Sequence, residues 1–150
     1  LNSGMLDGMP EEVFKPETAA YLHRFAEPFL SNDLNLDQAL IERRRLRRLW
    51  SAFLTKYQVC IGPTWCNLPW PIDTDLDPEK GIEVLQESFK FIAPGNCLGL
   101  PSVSLPMGVS DGLPTGIQIY SELYREDLCL LAAELIERDT VCPTPIDPVK

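Results

Sequence analysis

Apolar positions along the chain change their period several times, and each change marks an element. From Pro16, "PETAAYLHRFAEPFL" sets Leu22, Phe25, Ala26 and Phe29 at helical spacing, with Glu17 in the first turn, until Pro28 interrupts the pattern. The next run, "SNDLNLDQALIERRRLRRLWSAFLTKY", repeats Leu36, Leu40, Ile41, Leu46, Leu49, Trp50, Phe53 and Leu54 near a 3.6 period, and Ser31 to Asp33 are residue types that cap a helix start. "YQVCIGPTW" is instead a compact apolar run with β-branched Val59 and Ile61, closed by Gly62 and Pro63, as a buried strand is. "PTWCNLPWPIDTDLDPEKG" then shows no period and reads as a long irregular loop. Loops of that length in compact domains usually bind or cover something, and Trp65 and Trp70 favour either use.

"IEVLQESFKFIAPGN" has weak helical character up to Pro94, while "PSVSLPMGV" and "PTGIQIYS" read as neighbouring strands joined around the turn-forming "SDG". Each strand follows a copy of the tripeptide GLP, at Gly99 and at Gly112. "REDLCLLAAELIERD" places Leu128, Leu131, Leu135 and Ile136 on one helix face, with acids early and Arg138 late, matching the helix dipole. The expected organisation is a single domain or fragment over 1–150: mainly helical over 1–56, a strand at 57–63, a long loop at 64–81, then a helix, two strands, an amphipathic helix and a tail over 82–150. Helices and strands in this order form α/β layers.

Composition narrows the partners more than the fold. The 150 residues are long enough to bury a core, and 45% hydrophobic with 23% charged residues excludes the disordered class. A formal charge of −9 works against nucleic acid, whose binding draws on Lys and Arg. No apolar run approaches the roughly 18 residues of a membrane span, and "LNSGMLDGMP" lacks the basic start and apolar core of a signal peptide. Cys60, Cys66, Cys97, Cys129 and Cys142 are odd in number and form no C-x-x-C pair, so reduced thiols in a cytoplasmic protein are expected. Leu1 as first residue, with Met5 and Met9 following, suggests a chain that begins inside a longer one.

No complete catalytic set emerges from the residues themselves. A Ser-His-Asp site would have to use His23, the only histidine, and no G-x-S-x-G elbow surrounds any serine. Cys60 and Cys66 are the nearest cysteine pair and lack a second pair, so a structural zinc is not expected. Arg43, Arg44, Arg45, Arg47 and Arg48 lie on one helix interrupted by Leu46, Leu49 and Trp50, the pattern of a solvated face that pairs with nearby acids. The glycines between Gly95 and Gly116 match no phosphate-binding pattern and read as turn and close-approach positions. Ser102 and Ser104 share one face of an extended run, where structural roles are the expectation.

From "RRLWSAFLTKYQVCIGPT" through "GNCLGLPSVSLPMGVSDGLPTGIQIYS" to "DLCLLAAELIE", roughly residues 43–138, the chain resembles the C-terminal part of the amidase signature family. The most specific elements are Asn96, Gly99, Pro101, Ser104, Pro106 and Gly108, followed by Gly112, Leu113, Pro114, Gly116, Gln118 and Ile119. The resemblance implies a partial three-layer sandwich, a mixed central sheet flanked by helices. It also implies hydrolysis or transfer of amides by a serine nucleophile, a second serine on a cis peptide bond and a proton-passing lysine, without a cofactor or metal. No "GGSSGG"-like string occurs here, and Lys15, Lys56, Lys80 and Lys90 lie outside any matching motif, so no catalytic residue is carried over.

Such a chain would supply walls rather than the nucleophile and be inactive alone. It would take a small amide substrate when joined to an upstream half, and would associate with that half or with itself. The alternative is a non-catalytic partner or binding module that reuses the amidase half-fold. By the same resemblance Thr64, Trp65, Cys66 and Asn67, with Phe89, Phe91 and Ile92 from "SFKFIAPGN", lie near the substrate entrance. Family members of glutamine-dependent tRNA amidation carry an acid shortly before the Asn, where this chain has Phe89 and Phe91; that departure tilts toward an apolar or aromatic amide.

Overall fold

The computed structural model describes residues 35–140 together with Ala20, Tyr21 and Arg24. Ala20, Tyr21 and Arg24 are helical, and the Arg24 guanidinium donates to the Leu76 carbonyl at 3.1 Å. The rest of the expected first helix, His23 and Cys142 lie outside the described residues.

Helix α1 spans Leu36–Lys56. Its cap is Asn35 rather than Ser31 to Asp33: the Asn35 side chain accepts from the Gln38 N–H, and the Gln38 side chain accepts from the Asn35 N–H, both at 2.9 Å. That reciprocal box satisfies two otherwise orphaned donors and fixes where the helix starts. Leu54 is buried and Leu46 and Trp50 are half-buried, but Leu36, Leu40, Ile41, Leu49 and Phe53 stay exposed. On the arginine cluster, Arg45 pairs with Glu42 as a solvated face should, whereas Arg43 donates from Nε to the Cys97 carbonyl.

Strand β1 (Val59–Pro63), β2 (Ser102–Ser110) and β3 (Leu113–Ser121) form one antiparallel sheet in the order β1-β3-β2. Ile61 lies opposite Ile119, and Leu105 opposite Ile117. The turn between β2 and β3 is Asp111-Gly112, both left-handed at φ 52° and 77°, the primed-turn geometry that matches strand twist. Met107 is an extra residue between the pairs Pro106–Gly116 and Gly108–Thr115, and Gly108 at φ 121° takes up the resulting bulge. The sequence predicts a buried β1, yet Ile61 is 49% exposed, because among the described residues β1 is paired on one side only.

Between β1 and β2 the chain is less irregular than its sequence suggests. A 3-10 turn occupies Thr74–Leu76, and helix α2 (Gly81–Phe89) and helix α3 (Ile92–Leu98) replace the single weak helix expected up to Pro94. Pro94 is the third residue of α3, where its missing N–H has no intrahelical partner to lose. Gly99, left-handed at φ 70°, ends α3, and the N–H groups of Gly99 and Leu100 both donate to the Gly95 carbonyl.

Just before α2, Asp77 accepts from the N–H groups of Glu79 and Lys80 at 2.8 and 2.9 Å. The Lys80 and then the Glu79 hydrogen bond hold the Asp77 carboxyl below its ordinary value. A carboxyl lowered by folding contributes stability above the unfolded value and loses it as pH falls through the lowered folded value. A carbon-detected NMR titration of Asp77 is therefore expected to give a midpoint below the ordinary aspartate value; a midpoint at or above it contradicts these two hydrogen bonds.

Helix α4 (Glu126–Asp139) covers one face of the sheet, with Cys129 Sγ 3.5 Å from the Pro101 carbonyl and Ile136 and Thr140 beside Leu105. Gly95 of α3 lies under Tyr120 on the opposite face, where Phe91 also packs, its ring centre 5.3 Å from that of Tyr120. Helix, sheet and helix thus stack as the expected α/β layers, and every described strand pair is antiparallel. Among the described residues the buried apolar core comprises Leu54, Leu85, Leu98, Ile119, Tyr120, Cys129 and Ala133. The inner face of α4 differs from expectation: Cys129 and Ala133 are buried while Leu131 and Leu135 are each 53% exposed. Small residues let the helix approach the sheet closely, and the leucines are turned outward beside Leu130. No described helix is long and apolar enough to cross a membrane.

Candidate functional site

The loop after β1 doubles back along the hairpin and leaves a cleft of about 810 Å³ between them. One wall is the loop from Pro63 to Trp70, and the other is Ser104, Leu105 and Pro106 of β2 with Pro114, Thr115 and Gly116 of β3. The loop begins as a continuation of the sheet, the Thr64 N–H donating to the Gly116 carbonyl at 3.0 Å. Gly116 permits that approach, since a Cβ there would sit 3.0 Å from the Leu105 carbonyl oxygen and 3.1 Å from Thr64 Oγ1. Thr64 Oγ1 is buried against this glycine without a hydrogen-bond partner among the described residues.

The loop is then pinned to α2 through Ser88, which is fully buried. The Cys66 N–H donates to the Ser88 carbonyl at 3.3 Å, and Asn67 Nδ2 donates to Ser88 Oγ at 2.8 Å. The Ser88 hydroxyl donates in turn to the Val84 carbonyl at 2.7 Å. Ser88→Ala removes one buried partner of Asn67, and a loss of about 1 kcal/mol, confined to the loop, is expected. Hydrogen exchange at Cys66–Trp70 should quicken while the β2–β3 amides keep their protection; unchanged exchange in the loop contradicts the pin.

Three rings form a connected corner. Trp65 meets Trp70 at 5.3 Å between ring centres and meets Phe89 at 4.9 Å, edge to face, as aromatic pairs prefer. Trp65 is therefore held from both sides, and both indoles line the cleft. Among the described residues, no charged side chain lines the cleft. Thr115 Oγ1 donates to the Gly108 carbonyl, and Gln118 is engaged with Ser102 at 3.0 Å, whereas the exposed Ser104 hydroxyl makes no hydrogen bond among the described residues. Behind this region burial raises the pKa of Cys60, and burial followed by the Cys60 thiol raises that of the Tyr120 phenol.

Of the residues singled out from the sequence, Thr64, Trp65, Cys66 and Asn67 come together along one wall, with Phe89 directly behind Trp65. Phe91 and Ile92 do not line this cleft; Phe91 packs against Gly62 and Tyr120 in the layer beneath the sheet. Sequence reasoning misses the facing wall, from Ser104 to Pro106 and Pro114 to Gly116, whose signal is the doubled GLP with its flanking prolines. Among the described residues no group of three or more His, Cys, Asp and Glu is gathered as a metal would need.

The Amidase family model matches residues 2–130. An indoleacetamide hydrolase of Bradyrhizobium japonicum is 36% identical over 102 residues, 67% of this chain and 22% of that protein. The glutamyl-tRNA(Gln) amidotransferase A-subunit of Clostridium kluyveri is 29% identical over 103 residues, 69% of this chain and 20% of its own length. The solved A-subunit of the glutamyl-tRNA(Gln) amidotransferase of Thermotoga maritima has the same fold over 98% of this chain and 33% of its own, with a TM-score of 0.67 at 21% identity. The chain spans about a fifth of the length of the curated relatives it matches.

Proposed function

This chain belongs to the Amidase family, and from that premise we propose that it is the C-terminal portion of an enzyme that hydrolyses carboxylic amides to acid and ammonia or amine. A serine outside these residues attacks the amide carbonyl, backbone amides hold the oxyanion, and the nitrogen leaves protonated. Water then attacks the acyl-serine, releasing the acid and restoring the hydroxyl. The cleft between the loop and the hairpin is the share of the substrate site this chain supplies, with Thr64, Trp65, Cys66 and Asn67 along its wall and Phe89 in support. Phe91 and Ile92 are not part of that wall. The observation that carries the reading is the family match over residues 2–130 joined to a cleft built from the loop that the resemblance places at the substrate entrance. The free thiols of Cys60, Cys66, Cys97 and Cys129 support a cytoplasmic setting.

Ammonia release from a panel of amides tests this directly. The 150 residues alone are expected to give none, and the chain joined to its upstream sequence is expected to turn over. Robust release by the isolated chain overturns the proposed division of labour, and none from the joined chain overturns the activity. A second reading, a non-catalytic module completed by another chain, is favoured by the exposed Leu130, Leu131 and Leu135 on α4 and Ile61 on β1. Solution mass decides its premise: a stable monomer counts against association through these surfaces.

A further inference from the structure

We infer that the Trp65–Trp70 corner, facing the prolines of the hairpin, is an acyl pocket that selects neutral, planar aromatic amides, with the Ser104 hydroxyl as its free hydrogen-bonding group. The inference deepens the amidase reading and rests on it for the amide chemistry of the ligand.

Three observations converge on this ligand. The cleft volume of about 810 Å³ is that of a small-molecule site. Both walls carry flat apolar groups, indoles on the loop and Pro106 and Pro114 on the hairpin, which suit the faces of a planar ring. Phe89 backs Trp65 edge to face, which holds the Trp65 ring in position before a ligand arrives and reduces the ordering cost of binding.

Among the described residues no charged side chain lines the cleft, which sets the second limit. An ammonium or carboxylate brought into this cleft would lose water without gaining a counter-charge, which is costly. The described lining offers neither charge of an amino-acid amide such as glutamine a partner, which favours a neutral acyl group. Within the cleft the Ser104 hydroxyl is exposed and makes no bond of its own among the described residues, while its strand neighbour Ser102 is engaged by Gln118. Ser104 is thus placed to bind the polar edge of the ligand and acts here as a binding group, not a nucleophile.

The test uses the 150-residue chain with three probes: phenylacetamide, its size-matched saturated analogue cyclohexylacetamide, and glutamine. Calorimetric titration gives affinity, and tryptophan fluorescence reports the cleft, since two of the three tryptophans line it. Phenylacetamide is expected to bind about three- to tenfold more tightly than cyclohexylacetamide, the margin typical of a well-placed aromatic pair, and glutamine is expected not to bind. Trp70→Leu should abolish that preference and Trp70→Phe should retain it. Ser104→Ala should weaken both neutral amides about three- to tenfold. Far-UV circular dichroism confirms that each variant is folded.

Equal binding of the two neutral amides, binding of glutamine, no binding of phenylacetamide, or a preference unchanged in a folded Trp70→Leu chain overturns the pocket assignment. In the chain joined to its upstream sequence, turnover of cyclohexylacetamide but not phenylacetamide sinks the pocket and leaves the amidase reading standing. Turnover of no amide at all sinks the reading itself.

Discussion

Gly95→Ala is expected to destabilise the fold by about 1–2 kcal/mol, although alanine is the better helix former. A Cβ at residue 95 would sit 2.3 Å from Tyr120 Cε1 and 2.6 Å from its hydroxyl oxygen, distances no packed side chain tolerates. Tyr120 has no room to retreat: it is 2% exposed, and Phe91 packs against its ring. The gain in helix propensity from Gly to Ala is about 1 kcal/mol, and overpacking a tight core costs about 1–3 kcal/mol or more. The clash wins because the ring is held on both sides, so α3 must lift away from the sheet. The urea midpoint should fall in Gly95→Ala and recover in part when Tyr120→Val is added. A midpoint at or above that of the parent chain contradicts the packing of α3 on Tyr120.

Ile119→Ala should cost about 3–4 kcal/mol, within the range for emptying a buried isoleucine site. Ile119 is 0% exposed on the central strand, opposite Ile61 on one side and Val103 on the other. Its loss leaves a hole bounded by two backbones that cannot close in without breaking ladder hydrogen bonds. Ile61→Ala, one strand away in the same register, should cost about 1 kcal/mol or less, since that side chain is half in water. Equal losses in the two variants would contradict β3 as the centre of the sheet.

The β2–β3 hairpin is legible in the sequence because Asp111-Gly112 is a turn signal with a mechanism and the runs on either side alternate. α1 and α4 are legible as helices from their period, but their inner faces are not. In α4 Ile136 of the predicted face meets the sheet while Leu131 and Leu135 turn outward, because close approach favours Cys129 and Ala133 over the longer leucines. That choice depends on the distance between helix and sheet, which no local pattern encodes. The split of α2 from α3 escapes for a related reason: Pro94 reads as a stop, yet at the third residue of a new helix it is accommodated.

The candidate site divides along the same line. Thr64, Trp65, Cys66 and Asn67 are contiguous, so one family resemblance locates all four. The opposing wall depends on the non-local register that puts Pro106 opposite Gly116 and brings Gly116 to the Thr64 N–H. Phe91 stands two residues from Phe89 and faces the core instead, because the chain bends between α2 and α3.

The central claim is that these residues form a wall of an amide-hydrolysing site whose nucleophilic serine lies outside them. Its most direct test is to label the chain joined to its upstream sequence with a fluorophosphonate, which captures activated serines, and to map the adduct by peptide mass spectrometry. The account predicts a single adduct upstream of Leu1 and none on residues 1–150, with labelling suppressed by phenylacetamide. An adduct on Ser104, or on any serine of these 150 residues, would contradict it.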